Sequence, residues 1–304
     1  MMHIFAIGAS GYIGSTIVAR LQYQGHTISG LARTENTAKR LSQMGIQPIR
    51  GSIEDRAIIR QYASAADAVI YTAVEFSQAG LEAEYQAIEV LIDTLNGTDK
   101  TLIYTSGVGV LGNYAGVTLN EDSRYQPWPL IARRVDTEQA LRYAARHKQM
   151  QAFIVRPGMV YGGTQGGNGL DFYIKNALQL GFAPYLEDGL NRWPVVHIDD
   201  LVDLFLLLLF QKSSNLPSVF HAVTEEEVVL KQIAQAVAEH FTLGQGTQSL
   251  NDEQLQQVLG VEAPIFGINQ HIERSRAFDC LGWQVKQPSI LEEIKTLKRD
   301  RYTV

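Results

Sequence analysis

Short apolar runs alternate with stretches of helical periodicity through the first half of the chain. His3-Ile-Phe-Ala-Ile7 has the composition and length of a strand, and a glycine-rich turn and an amphipathic stretch from Ser15 to Gln24 follow it. Thr27-Ile-Ser-Gly-Leu31 repeats the strand pattern, with helical character from Glu35 to Met44. Ile46 to Arg50, Ala68 to Thr72, Thr101 to Thr105 and Ala152 to Arg156 bring the expected strands to six. Helices are expected at Leu81 to Leu95 and Leu130 to His147. Strict alternation of strand and helix calls for parallel strands joined by right-handed crossovers. The pattern therefore describes an α/β fold, a doubly wound parallel sheet whose ligand lies beyond the C-terminal strand ends.

After Pro157-Gly158 the rhythm changes. Gly162-Gly163, Gly166-Gly167 and Gly169 mark a loop, and a helix is expected from Leu170 to Leu180. His197 to Phe210 reads as a short strand entering a helix capped by Asp199 or Asp200. Val219 to Val223 reads as a strand, and Val228 to Phe241, Asp252 to Leu259, Ser275 to Leu281 and Ile290 to Arg299 as helices. Glu225-Glu-Glu227 is read as a solvated cap before one of them. The expected organisation is a main domain over residues 1–160 and a smaller C-terminal α/β lobe over 161–304. Some segments of that lobe return to the main sheet, and the lobe supplies the other wall of a cleft.

Composition narrows the class of partner. A formal net charge of -6 argues against general nucleic-acid binding, which needs a basic face to displace counterions. A single cysteine, Cys280, excludes an intrachain disulfide, and the scattered histidines form no metal motif. The most apolar run, Leu204 to Phe210, is far shorter than the roughly 20 residues needed to cross a bilayer. With the first strand starting almost at once, these features set a cytoplasmic, membrane-free protein as the expectation.

The chemistry starts at Gly8-Ala-Ser-Gly-Tyr-Ile-Gly14. Gly8 permits a tight exit from the strand, Gly11 lets backbone approach a pyrophosphate, and Gly14 lets the helix pack closely on the sheet. The helix N-terminus then offers free N–H groups and partial positive charge to phosphate. An acidic residue about 20 positions on would hold the adenosine ribose of NAD. The second strand instead runs out at Leu31-Ala-Arg-Thr34, with no Asp or Glu at its tip. Arg33 stands where a ribose 2′-phosphate would lie, with Thr34 and Lys39 near it, so NADP(H) is expected over NAD(H). The alternative is that Arg33 is a solvated loop charge, and Glu35 lies close by.

Further motifs fall in order along the chain: Gly51-Ser-Ile-Glu-Asp55, Ala68-Val-Ile-Tyr-Thr-Ala73, Tyr104-Thr-Ser-Gly107, Arg156-Pro-Gly-Met-Val-Tyr-Gly162 and Val196-His-Ile-Asp-Asp-Leu201. With the glycine turn, they resemble the extended short-chain dehydrogenase/reductase superfamily, NAD-dependent epimerase/dehydratase-like proteins built on a Rossmann fold. The resemblance covers nearly the whole chain. It implies cofactor contacts at Gly8, Ser10, Gly11, Tyr12, Ile13, Gly14 and Arg33, and at Ser52, Ile53, Thr72, Ala73, Arg134 and Pro157. Ser52 stands where the family usually has an Asp. It also implies a small-molecule substrate and, in many members, a homodimer formed through the helices after the fourth and fifth strands.

The chain departs from the family at its chemistry. Catalytic members carry a Ser or Thr after the fifth strand and a Tyr four residues before a Lys. Registered on Tyr104 to Gly112 and on Glu138, those positions hold Gly107, Leu130 and Arg134, and no Tyr-x-x-x-Lys occurs in the segment. The resemblance therefore implies an atypical member. Arg134 retains the means to bind ribose hydroxyls, but it does not titrate near neutral pH. Tyr161, just past the sixth strand, is a candidate replacement proton donor, with core packing as its alternative. His197 titrates in a useful range but is usually structural in the family. Ser106 keeps a hydroxyl beside the vacated position. Tyr114, Tyr125, Trp128, Phe172, Tyr173 and Trp193 are expected around the cleft, where an aromatic wall suits an apolar or cyclic substrate. Two functions follow: an NADP(H)-dependent oxidoreductase or epimerase-like enzyme with a non-standard proton donor, or a non-catalytic NADP(H)-binding sensor.

Overall fold

A computed structural model describes residues 1–113, 116–163, 168–211, 215–260 and 263–302. The first half contains β1 (His3–Ile7), α1 (Tyr12–Tyr23), β2 (Thr27–Ala32), α2 (Glu35–Gln43), β3 (Gln47–Arg50), α3 (Arg56–Ala65), β4 (Ala68–Tyr71), α4 (Gln78–Leu95), β5 (Thr101–Thr105), β6 (Thr118–Leu119), α5 (Ala132–His147) and β7 (Gln151–Pro157). The second half adds β8 (Met159–Tyr161), α6 (Gly169–Leu180), β9 (Ala183–Leu186), β10 (Arg192–His197), α7 (Ile198–Leu209), β11 (Val219–Ala222), β12 (Glu225–Val229), α8 (Leu230–His240), β13 (Thr247–Leu250), α9 (Asp252–Leu259), α10 (Ala263–Phe266), β14 (His271–Ile272), α11 (Ala277–Leu281) and α12 (Ile290–Ile294).

The main sheet has seven parallel strands in the order β11-β7-β5-β4-β1-β2-β3. Alternation of side chains along each strand builds a core on both faces. On β1, Ile4 and Ala6 join α1 and the leucine-rich α7, while Phe5 and Ile7 join α3 and α4. The six expected strands are all present, and the Val219 strand returns to the sheet as the seventh, beside β7. The apolar run Leu204 to Phe210 lies largely within α7, packed in the core.

The C-terminal lobe combines a three-stranded sheet, β12-β10-β8, with the pair β13-β9, around a separate core that includes Tyr173, Trp193 and Phe266. Three details differ from the sequence pattern. Glu225 to Val229 is a strand rather than a helical cap, because it pairs antiparallel with β10. The helix α3 was not anticipated between the third and fourth strands, although Ile59 and Ala63 line one buried face. The cap of α7 is neither aspartate: His197 Nδ1 accepts the Asp199 N–H at 3.1 Å. Asp200 turns the other way and accepts the N–H groups of Lys286 and Gln287, while its carbonyl takes Trp283 Nε1–H, tying a C-terminal segment to α7.

Candidate functional site

Beyond the C-terminal ends of β1 to β4 lies a cleft of about 430 Å³. Gly8, Ser10, Gly11, Tyr12, Ile13, Gly14, Arg33, Ser52, Ile53, Thr72 and Ala73 all line it. Glu75 and Glu84, which sequence reasoning did not single out, line it as well. The three glycines separate by cause. Gly8 has φ +94, and a Cβ there would lie 2.6 Å from the Ala73 nitrogen. A Cβ on Gly14 would overlap the Gly8 carbonyl oxygen and crowd Thr72 Oγ1. Those two are demanded by folding. Gly11 is less constrained: its φ of -76 suits any residue, though a Cβ would press on the Gly8 oxygen at 3.3 Å. Its bare face, at the N-cap of α1, keeps backbone open to the cleft where a diphosphate would seat.

At the tip of β2, Arg33 Nη1 donates to Glu75 Oε2 at 2.9 Å across the cleft, and both side chains are largely exposed. Thr34 is committed to capping α2, accepting the Thr37 N–H. Glu35 pairs with Arg50 instead of Arg33. Ser52 Oγ accepts the Glu54 N–H within its own turn. The basic group at the tip of β2 is therefore held only by an exposed ion pair, which is worth about 0–1 kcal/mol.

At the opposite end, β4 and β5 place a buried polar cluster. Glu84 accepts from Arg134 Nε at 3.0 Å and from the Tyr104 hydroxyl, with Arg134 and Glu84 almost wholly buried. Arg134 Nη2 donates to the Thr105 carbonyl at 2.6 Å. Burial alone would lower the arginine's pKa, but Tyr104 and Glu84 outweigh it and hold the guanidinium firmly charged. Burial, then Glu84, pushes the Tyr71 phenol well up. The Tyr71 hydroxyl, Glu84 Oε2, Thr105 Oγ1 and Ser106 Oγ are buried without hydrogen-bond partners. Such orphans are uncommon and mark a place where a ligand or water completes the bonding. Arg134 does not line the cleft itself but reaches it through Glu84.

Beside this cluster Gly107 is extended, and a Cβ on it would meet nothing nearer than the Pro157 carbonyl at 3.8 Å. Leu130 is more than half exposed, in a one-turn 3-10 segment (Pro129–Ile131) before α5. Pro157 ends β7 outside the cleft lining.

Two candidate proton donors are corrected by their contacts. The Tyr161 hydroxyl lies 3.0 Å from Glu225 Oε1 and 2.8 Å from the Pro288 carbonyl, inside the C-terminal lobe and away from the cleft. Burial, then Glu225, raises its pKa further. Glu225, expected to be solvated, also accepts the Ile290 N–H, and burial raises its own pKa. His197 packs on Gly162, where a Cβ would overlap its ring, and caps α7. Both residues join lobe to sheet. The aromatic wall is likewise corrected: Tyr173 and Trp193 are core, packed edge-on and tilted against each other and Phe266, and the Tyr125 hydroxyl donates to Glu138. Phe172 packs against that core only partly buried, and Tyr114 lies outside the described residues. Arg133 pairs with Glu82 and Asp136 and covers Tyr85.

One further link was not legible in the sequence. Tyr12 on the glycine turn donates to the Gly162 carbonyl, and Arg301 near the C-terminus donates to the next carbonyl, Gly163, and to Asp171.

The sequence matches the NAD dependent epimerase/dehydratase family over residues 4–221. The chain belongs to that family. An uncharacterized protein of Schizosaccharomyces pombe is 29% identical over 96% of this chain and 98% of its own. A Dictyostelium discoideum sterol-4-alpha-carboxylate 3-dehydrogenase, decarboxylating, is 24% identical over 75% of this chain and 73% of its own. The structure of UDP-glucuronic acid 4-epimerase from Bacillus cereus, in complex with UDP-glucuronic acid and NAD, superposes with a TM-score of 0.77. It covers 97% of both chains at 16% identity, so the likeness is one of fold. Among the described residues no helix is long and apolar enough to cross a membrane, and no group of His, Cys, Asp or Glu is arranged to hold a metal.

Proposed function

We infer that this family member is an NADP(H)-dependent oxidoreductase acting on a carbonyl or secondary alcohol of a small molecule, without the usual tyrosine acid. The observation that carries the reading is the unpartnered polar cluster beside a fully charged Arg134, at the end of a cleft whose glycine turn fits a diphosphate. The residues fit the dinucleotide. Gly11 and the first turn of α1 take the phosphates, Arg33 takes a 2′-phosphate, and Glu84 Oε2 accepts from a ribose hydroxyl. Bound there, the cofactor supplies or accepts a hydride.

Arg134 Nη1 makes no hydrogen bond within the protein, and Ser106 Oγ is buried without a partner. Together these two donors hold a substrate oxygen and stabilise the negative charge that develops on it. Leu130 moves no proton, so the oxygen exchanges its proton with water. The expected cost relative to a positioned acid is roughly 10²–10⁴-fold in rate.

The test is NADPH deuterated at the transferring position, incubated with a panel of ketones and followed by mass spectrometry. Deuterium at the new carbinol carbon supports the reading, and Arg134→Lys and Ser106→Ala should each lower kcat. Tight NADPH binding with no transfer to any substrate would favour the second reading, a cofactor-binding sensor, which the absence of a hydroxyl at Gly107 and Leu130 motivates.

A further inference from the structure

Tyr12 leaves the glycine turn and ends its hydroxyl on a carbonyl 150 residues along the chain. That carbonyl belongs to Gly162, which with Gly163 sits at positive φ, +86 and +71, just past β8. The two glycines are pressed onto the start of α7. A Cβ on Gly162 would overlap the His197 ring, and one on Gly163 would crowd Ile198 Cγ2 at 3.1 Å. Both carbonyls are taken: the Tyr12 hydroxyl donates to Gly162 at 2.8 Å, and Arg301 Nη1 donates to Gly163 at 2.8 Å. Arg301 is held in turn. Its Nη2 donates to Asp171 Oδ2 at 2.8 Å, while Asp171 Oδ1 accepts the Tyr302 hydroxyl at 2.8 Å. Asp171 is almost wholly buried in the first turn of α6, where it also accepts from Asn168 Nδ2. Burial works against the arginine's charge, and Asp171 more than offsets it. Burial, then Asp171, pushes the Tyr12 phenol far up, so it stays a donor at any working pH.

Tyr12 is also the first residue of α1, where helix N–H groups have no partner within the helix, and it lines the cleft. Its backbone N–H belongs to the set that faces a diphosphate. The side-chain anchor thus fixes the residue whose main chain meets the phosphates. We propose that Arg301 is a positioning residue for the dinucleotide: by holding Gly163 it presents the Gly162 carbonyl to Tyr12, and so sets the first turn of α1 under the diphosphate. This rests on the dinucleotide reading above. Because the diphosphate is common to NADPH and NADH, Arg301 contributes equally to both, whereas Arg33 serves the 2′-phosphate alone. Neither Arg301 nor the Tyr12 hydroxyl has to touch the cofactor.

The test is fluorescence titration of NADPH and NADH against the full chain and its Tyr12→Phe, Arg301→Gln and Tyr12→Phe/Arg301→Gln variants. Each single change should weaken both cofactors by about fivefold, the factor for roughly 1 kcal/mol of lost hydrogen bonding. The double variant should bind no worse than Tyr12→Phe, since Arg301 acts through that hydroxyl. Should Asp171, left without its cation, unsettle the lobe, Arg301→Gln/Asp171→Asn removes the stranded charge and should show the same fivefold loss. Arg20→Met is the control for a merely structural effect. Arg20 pairs from α1 to Asp199 and Asp203 of α7, so its loss should lower the urea midpoint at most and leave both Kd values in place. Three outcomes would overturn the inference. One is wild-type affinity for both cofactors in Arg301→Gln. Another is additive weakening in the double variant, which would separate Arg301 from Tyr12. The third is an equal loss in Arg20→Met, which would reduce the effect to a general loosening of α1 on α7. A wild type that binds neither dinucleotide would instead remove the reading beneath it.

Discussion

Freeing Arg33 from Glu75 should tighten NADPH without affecting NADH. The pair spans the cleft at 2.9 Å, with side chains 72% and 55% exposed, so solvent and salt reduce it to about 0–1 kcal/mol. A guanidinium bonded to a phosphate contributes more, about 1.5–3 kcal/mol net, and at so exposed a position the lower end applies. Arg33→Ala should therefore weaken NADPH about tenfold, the factor for roughly 1.4 kcal/mol, and leave NADH nearly unchanged. Glu75→Gln removes both the competing partner and a repelling charge, and should tighten NADPH by about twofold to threefold, or roughly 0.5 kcal/mol. In the double variant the part of that gain that acts through Arg33 should vanish, leaving only the relief of charge repulsion. Fluorescence titrations of the four proteins with each cofactor, at low and high salt, give the whole cycle. If Arg33→Ala weakens the two cofactors equally, or Glu75→Gln loosens NADPH, Arg33 does not select the 2′-phosphate.

Other consequences are as direct. Gly14→Ala drives a methyl into the Gly8 carbonyl and should lower the urea midpoint of the whole domain as well as weaken binding of both cofactors in dialysis. Arg134→Met strands the Glu84 charge in the interior and should cost about 3–5 kcal/mol by urea unfolding, most of it recovered in Arg134→Met/Glu84→Gln. The pair Gly107→Ser/Leu130→Tyr should fold normally and raise kcat for any substrate found, by up to about 10²-fold, since it restores a proton-transferring phenol beside room for a hydroxyl. Unchanged kcat there would mean that proton transfer does not limit turnover. Burial raises the folded-state pKa of Glu225, so its contribution is present in acid and is lost as pH rises through that pKa. The melting temperature of Glu225→Gln should therefore gain on the wild type between acid and neutral pH. A constant offset would show that Glu225 does not titrate across that range.

Repetition made the main sheet legible. The inner parallel strands β1, β4, β5 and β7 are buried on both faces and read as largely apolar runs, and the glycine turn sits at a fixed place after the first of them. The C-terminal lobe gave weaker signals because its strands are short and pair across long separations. Glu225 looked like a solvated cap since nothing nearby in sequence reveals Tyr161 and Ile290, its partners more than sixty residues away on either side. Tyr161 and His197 were drawn toward the chemistry by their residue type, but side-chain direction on β8 and at the start of α7 turned them into the seam between lobe and sheet. Glu84 had no local signature either. It is a carboxylate on the inner face of an otherwise ordinary helix, and only Arg134, fifty positions away, makes sense of it.

The empty space beside Gly107 bears on how such a protein arises. A side chain lost from a tightly packed wall leaves a hole that neighbours must fill, and each repair makes the change harder to undo. Here the backbone is extended and a Cβ would meet nothing nearer than the Pro157 carbonyl, so a methyl can be added at position 107 without any neighbour shifting. This wall can be changed while the cleft beside the glycine turn is left as it is.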